Sequence, residues 1–302
     1  MIDSAAMDAT RKAWLFLFVG IVAASQSGNL VRIGNASPFA ITTWRLALAS
    51  LMLAPLAGRH LVELARLGRR DMILLLGAGI ALALHFFSWI AAVQHTTVAN
   101  ASIFFSINPV ITALAGWLFY REMPSRRLAL SIVLGLGGVL FIGISDLDFA
   151  PERFAGNALS VLSSLLFTVY FLLGKRVRQT VDSRAYVTGV YGIAALTGLL
   201  VVMLLGQPVI DHSARNWTCF ALMALIPTMI GHTALNHGLR YIQAGRISAA
   251  MLLEPLTAGL GAAIFWGESV QPHTIGGYIL ICVSVLVLIL EPTARKNATN
   301  SR

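Results

Sequence analysis

The 302-residue sequence predicts an all-α polytopic membrane protein, with ten transmembrane helices forming two inverted five-helix repeats and both termini cytoplasmic. Three observations carry that expectation. Apolar residues make up 57% of the chain and charged residues only 12%, against about 25% charged in ordinary soluble domains. The mean hydropathy is +0.77, and the charges collect in short links between long apolar stretches. The second part of the chain also repeats the first at a fixed offset.

Crossing about 30 Å of hydrocarbon takes about 20 residues at 1.5 Å per residue, and ten stretches come close to that length. The first, 13–33, follows Arg11 and Lys12 and runs on past Ala23 and Ala24. That is too far for the apolar core of a signal peptide, so a retained helix is expected. The second, 39–57, holds Arg45 and stops before Arg59, Arg66, Arg69 and Arg70. The third, 72–93, begins after that basic link, and the fourth, 98–119, ends at Arg121. Arg126 and Arg127 precede the fifth, 128–144, which gives way to an acidic connection of Asp146, Asp148 and Glu152. The sixth, 156–174, follows Arg153 and closes on Lys175, Arg176 and Arg178. The seventh, 185–205, starts after Arg184, and the eighth, 217–238, lies between Arg215 and Arg240. The ninth, 247–266, follows Arg246, and the tenth, 275–290, stops before Arg295 and Lys296.

Loop charge sets the orientation. Of the 22 Lys and Arg residues, 18 fall on the side of Arg11, Arg69, Arg126, Arg184 and Arg246. Three, Arg32, Arg153 and Arg215, fall on the other, and Arg45 lies inside a span. The positive-inside rule therefore places both termini in the cytoplasm, and the plasma (inner) membrane is the expected location. The net charge of +9 has the same origin. These basic residues sit at span ends rather than sharing a face with stacking aromatics, so no nucleic-acid partner is expected. Cys219 and Cys282 both lie in apolar spans, which suggests neither a disulfide framework nor a metal cluster.

The repeat has an offset of 146. Pro109 matches Pro255 and Glu122 matches Glu268, while Ser102, Leu114 and Phe119 match Ser248, Leu260 and Phe265. Proline and glutamate are scarce in this chain, and both recur with the same thirteen-residue spacing. Five spans per half is an odd number, so the second half, 148–302, enters the membrane inverted relative to the first, 1–147. Inverted repeats are a common architecture of secondary transporters, which bind substrate near the midplane between the halves. Transport is the expected function.

The segments from Asn108-Pro109 to Arg121-Glu122 and from Leu253-Glu254-Pro255 to Gly267-Glu268 resemble the EamA-type members of the drug/metabolite transporter superfamily. Gly137-Gly138, Gly276-Gly277 and Trp44-Arg45 are similar to that family's patterns as well. The resemblance covers nearly the whole chain. It implies export of small metabolites, amino acids and aromatic amino acids among them, through a cavity between the halves. One departure is the lack of the Trp that many members carry late in the first helix.

Polar groups inside spans are costly unless they face other helices or water, so they mark the candidate cavity. Span one offers Ser25, Gln26 and Asn29; span three offers His85 and Trp89; span eight offers His232 and Asn236. Asn108 and Glu254 stand immediately before Pro109 and Pro255, and span six adds Ser163, Ser164, Phe167 and Tyr170. Spans five and ten read as almost entirely apolar packing. Serines often satisfy themselves on their own helix, Trp residues near span ends serve as interfacial anchors, and small residues such as Gly79 and Gly261 permit close packing. The two prolines are hinge candidates or static kinks. Glu254 is the candidate for proton linkage, because an ionised carboxylate at that depth costs at least about 2.5 kcal/mol. It could equally satisfy groups freed by Pro255 or meet a substrate amine. Substitutions His85→Leu and Asn108→Leu are expected to change selectivity while leaving folding largely intact.

The partners expected are thus a small-molecule substrate and the lipid bilayer, for a monomeric chain with no cofactor and no metal. A membrane-embedded enzyme is the alternative class. An intramembrane hydrolase needs an activated serine with a histidine base, and Ser27-Gly28 with His85 or His232 lacks a Gly-x-Ser-x-Gly setting. A lipid transferase would want clustered carboxylates, and the acids here are scattered. A channel would need a filter sequence that this chain does not present.

Overall fold

In a computed structural model, which describes residues 4–96, 98–143, 150–272 and 274–290, the chain is helical, with no strand among the described residues. Asp146 and Asp148 of the acidic connection, the boundary at 147, and the basic tail of Arg295, Lys296 and Arg302 lie outside the described residues. The first helices are α1 (Ala9–Val31), α2 (Pro38–Ala65), α3 (Arg69–His95), α4 (Asn100–Tyr120) and α5 (Arg126–Gly143). They are followed by α6 (Pro151–Val177), α7 (Ser183–Leu204), α8 (Ala214–Gly238), α9 (Ala244–Trp266) and α10 (Thr274–Ile289). Among the described residues, α1 to α9 are long and apolar enough to cross a membrane. The last, α10, is shorter at 16 residues, which at 1.5 Å per residue spans about 24 Å.

Local chemistry sets several ends. The Ser37 hydroxyl accepts from the Ala40 N–H at 3.2 Å, and Pro38 opens α2, where a missing N–H does no harm. Asp182 caps α7 by accepting from the Arg184 N–H at 2.9 Å, and Ser213 caps α8 through the Asn216 N–H at 3.3 Å. The outward surface is apolar: Leu118, Ile264 and Leu204 are each at least 70% exposed. In water such a surface would aggregate; in hydrocarbon it is satisfied. The core instead holds the buried rings of Phe167, Tyr170, Phe171, Tyr186 and Tyr191.

Helix packing follows a pattern of exchange. The α3 helix packs along α6 as α8 packs along α1; α4 meets α6 as α9 meets α1; α3 meets α7 as α8 meets α2. Pairs α2–α7, α5–α10 and α4–α9 also pack together. Exchanging α1–α5 for α6–α10 maps this set of contacts onto itself.

The match extends to the backbone. The inner segments of α4 and α9, Asn108–Tyr120 and Glu254–Trp266, each have 13 residues and begin and end 146 positions apart. Each is preceded by an irregularity, a turn at Ser106 and Ile107 in one and a tighter turn at Met251–Leu253 in the other. Proline supplies no N–H to continue the ladder and clashes with the preceding turn, so the helices loosen at these points. Both segments end on a left-handed residue, Arg121 at φ 54° and Gly267 at φ 66°.

Helices α5 and α10 lie against each other through glycine. A Cβ on Gly138 would come within 2.7 Å of the Gly277 carbonyl oxygen, and one on Gly277 within 2.6 Å of the Gly138 carbonyl oxygen. Backbone approach this close is open only to glycine. The pairing is not wholly apolar: the hydroxyls of Ser131 and Ser284 lie 3.1 Å apart, and Ser284 also donates to the Ser131 carbonyl at 2.7 Å.

Candidate substrate cavity

A cavity of about 300 Å³ lies among α1, α3, α4, α5, α6, α8, α9 and α10. Its lining residues come from one end of the bundle, the end shared by Val31, His95, Gly143 and Trp266, and Arg32 and Glu268 stand at its mouth. The opposite end is closed. There the Tyr120 hydroxyl donates to the Leu172 carbonyl at 2.5 Å, and Lys175 donates to Glu122. Beyond α6, Arg178 donates to the carbonyls of Asn236 and Val181. Its burial lowers the guanidinium pKa from the ordinary value, and nearby Arg240 adds to that shift.

The rings gather on one wall. His85 lies 4.8 Å from Phe86, 5.1 Å from Phe167 and 6.4 Å from His232, centroid to centroid. Trp89 packs edge-on to Phe105 at 5.2 Å, so it faces the cavity rather than anchoring at the membrane surface. The His85 Nδ1 is engaged by Ser163, whose carbonyl and hydroxyl lie 3.0 and 2.8 Å away. The Ser163 hydroxyl thus serves helix packing between α3 and α6.

The facing wall is polar and is built around the two proline breaks. Asn108 Nδ2 donates to the Ser164 carbonyl and to Thr168 Oγ1, each at 3.0 Å, and its Oδ1 accepts from Ser248. This one side chain therefore joins α4 to α6 and α9. Asn29 Nδ2 donates to the Ala258 carbonyl at 3.0 Å, and Ser25 donates to the Val22 carbonyl of its own helix at 2.8 Å. Glu254 lines the cavity and forms no side-chain hydrogen bond or ion pair among the described residues.

Of the candidates named from the sequence, Ser25, Asn29, His85, Trp89, Asn108, Phe167, His232 and Glu254 line this cavity, as do Pro109 and Pro255. Three do not. Gln26 turns away to donate to the Thr257 carbonyl at 3.0 Å, over the gap that Gly261 leaves. Tyr170 and Asn236 are hydrogen-bonded to each other, one turn beyond Phe167 and His232 towards the closed end. Spans five and ten, read as packing only, also contribute wall: Val139, Ile142 and Gly143 from α5 and Tyr278 from α10.

Sequence reasoning missed Phe86, Phe105 and Ser248 on the walls. It also missed Arg45 behind them, which is fully buried and donates to Thr228 Oγ1 at 3.0 Å and Ser27 Oγ at 3.3 Å. Its guanidinium carbon lies 4.0 Å from the centroid of the Phe86 ring, so one fixed positive charge backs the aromatic wall. A lone arginine within an apolar span was the available signal.

Comparison with known proteins fits this geometry. The model of the EamA-like transporter family matches residues 11–144 and again residues 154–290. An uncharacterized transporter of Archaeoglobus fulgidus is 25% identical over 257 residues, covering 85% of this chain and 88% of its own. The pseudopaline exporter CntI of Pseudomonas aeruginosa is 23% identical over 252 residues, covering 82% and 84%. A protein of known crystal structure superposes with a TM-score of 0.79 at 17% identity, covering 92% of this chain and 96% of the other, a likeness of fold.

Proposed function

This chain belongs to the EamA-like transporter family, and from that premise we propose that it exports small metabolites, amino acids in particular, by alternating access through the cavity described above. It is an integral membrane transporter. The finer reading rests on one observation above all: a cavity of about 300 Å³, open at one end, lined by residues from both parts of the chain. Its volume is at the low end of ordinary small-ligand sites, and its ring-lined wall suits substrates with an aromatic side chain. That one similar protein is named an exporter favours the outward direction. Counterflow tests the proposal. In proteoliposomes preloaded with one unlabelled amino acid, the labelled form should accumulate transiently if it is a substrate. A screen in which no amino acid or other small metabolite gives an overshoot would remove carrier function.

In this reading the halves 1–147 and 148–302 are inverted repeats, all ten helices cross, and both termini are cytoplasmic. The open end of the cavity then faces outward. The exchange of helix contacts between α1–α5 and α6–α10 supports it. In a background lacking Cys219 and Cys282, an impermeant thiol reagent added to intact cells should label Asp148→Cys and not Arg69→Cys. The reverse pattern would invert the topology.

Glu254 is the group this reading assigns to proton coupling, as a carboxylate with no side-chain partner among the described residues, beside the break at Pro255. A proton added there removes a charge that an apolar setting disfavours, and so biases the two access states differently. Glu254→Gln in proteoliposomes with an imposed pH gradient should keep substrate exchange and lose the response to the gradient. An unchanged response, or a wild type indifferent to pH, removes Glu254 from the coupling role.

A further inference from the structure

Each end of the bundle carries the same three-part contact. At the closed end Lys175, in the last turn of α6, donates to the Glu122 carboxylate just past α4, and its Nζ stands 5.6 Å from the centroid of the Tyr120 ring. At the open end Arg32, just past α1, pairs with Glu268, just past α9, with Nη1 and Oε1 2.6 Å apart. Its guanidinium carbon stands 4.9 Å from the centroid of the Trp266 ring. Glu122 and Glu268 are 146 positions apart, and so are Tyr120 and Trp266. The backbone presents both acids alike. The Glu122 N–H donates to the Gly116 carbonyl at 3.2 Å and the Glu268 N–H to the Ala262 carbonyl at 3.4 Å, each beyond a left-handed residue.

The cations arise from exchange partners too, since α6 meets α4 as α1 meets α9. They are not strict register mates: Arg32 aligns with Arg178, and Lys175 stands one turn earlier. Each contact joins a helix of α1–α5 to a helix of α6–α10, so each is a tie across the interface between the halves.

The two ties differ in their surroundings. Side-chain exposure is 10% for Lys175 and 22% for Glu122, but 41% for Arg32 and 50% for Glu268. Arg32 and Glu268 border the cavity, whereas Glu122 borders only a slit of about 10 Å³ shared with Ala113 and Gly245. An ion pair in water holds its partners weakly. A desolvated pair holds them firmly, because separating it leaves two charges to be rehydrated and demands that the end open to water.

We propose that these ion pairs are the ties of the two gates: Glu122–Lys175 holds the inner gate shut in this state, and Arg32–Glu268 takes over as the buried tie when the cavity opens at the other end. The inference rests on the alternating-access reading. It adds the device that sets the balance between states, since in an inverted repeat one state is the other with the roles of the halves exchanged. Removing the buried tie destabilises this state and populates the other. Removing the wet one weakens only the state in which it becomes buried.

The test reads access to the slit and needs no transport. Ala113→Cys, in a background lacking both native cysteines, is reacted with a maleimide in purified protein in nanodiscs, where both ends are reachable. Glu122→Gln and Lys175→Met should each speed alkylation about ten-fold or more as the inner end opens. The exchange Glu122→Lys with Lys175→Glu should bring the rate back towards the parent, while Arg32→Gln should leave it unchanged or slower. Ala194→Cys, buried in the core, reports general loosening. Unchanged rates in both single variants, failure of the exchange to restore protection, or an equal rise at Ala194→Cys would each overturn the proposal. Faster alkylation with no counterflow in any screen would keep the tie and remove the transport reading instead.

Discussion

Gly138→Leu is expected to yield almost no folded protein, whereas Gly137→Leu, its neighbour in sequence, should behave like the parent. A Cβ at 138 would already lie 2.7 Å from the Gly277 carbonyl oxygen and 2.8 Å from the Ile281 side chain. The first of these is backbone and cannot turn aside. Helix α10 would have to shift along its whole contact with α5, breaking the Ser131–Ser284 hydrogen bonds. Overpacking of this kind costs about 3 kcal/mol or more when the obstacle cannot relax. At Gly137 a Cβ meets nothing within 4 Å. Yield and homogeneity of the detergent-solubilised protein, read by size-exclusion chromatography, separate the two. Equal yields would mean that α5 and α10 are not in backbone contact.

Asn108→Leu is expected to lower the thermal midpoint of the purified protein sharply, with a loss of about 3 kcal/mol. Its side chain serves the Ser164 carbonyl, Thr168, Thr112 and Ser248, all buried. Leucine replaces the amide's volume but leaves those groups without their partner, at about 1–3 kcal/mol for each group that finds no other. This reverses the sequence-based expectation that folding would survive the change. A cavity-lining residue was expected to be free for ligand, but Asn108 is the junction of three helices. Adding Ser248→Ala to Asn108→Leu should cost less than the sum of the two single changes, since the pair shares one hydrogen bond. Strict additivity would show that the junction is not cooperative. His85→Leu should be milder for stability, because its removal leaves Ser163 able to donate to a backbone carbonyl, as it already does to that of residue 85 at 3.1 Å.

The parts of this fold legible from sequence were those written in scarce residues. Pro109 and Pro255, with Glu122 and Glu268, located two helix breaks and two helix ends at the 146-residue offset. Depth was legible too, because distance along a span is counted in residues. Angular position was not: in spans apolar on every face no stripe marks the side that faces ligand. Gln26 and Asn29 are three residues apart, yet only Asn29 reaches the cavity, because Gly261 opens a gap that Gln26 fills. Tyr170 and Asn236 stand at sound depths on sound helices, but the cavity occupies only one end of the bundle, and they lie beyond its floor. Nor does a sequence declare which end of the bundle is open, and Arg32, at the open end, was read as a loop charge for that reason.

If substrate crosses through the cavity at the proline breaks, a plug placed in that cavity must stop it. Ala258 lines the cavity with only a methyl group, so cysteine there changes little before it is alkylated. In a background lacking Cys219 and Cys282, Ala258→Cys should support counterflow of whichever amino acid the parent exchanges. Alkylation with a bulky maleimide should then abolish that exchange, and bound substrate should slow the alkylation. Full counterflow after complete alkylation would mean that the substrate passes somewhere other than this cavity.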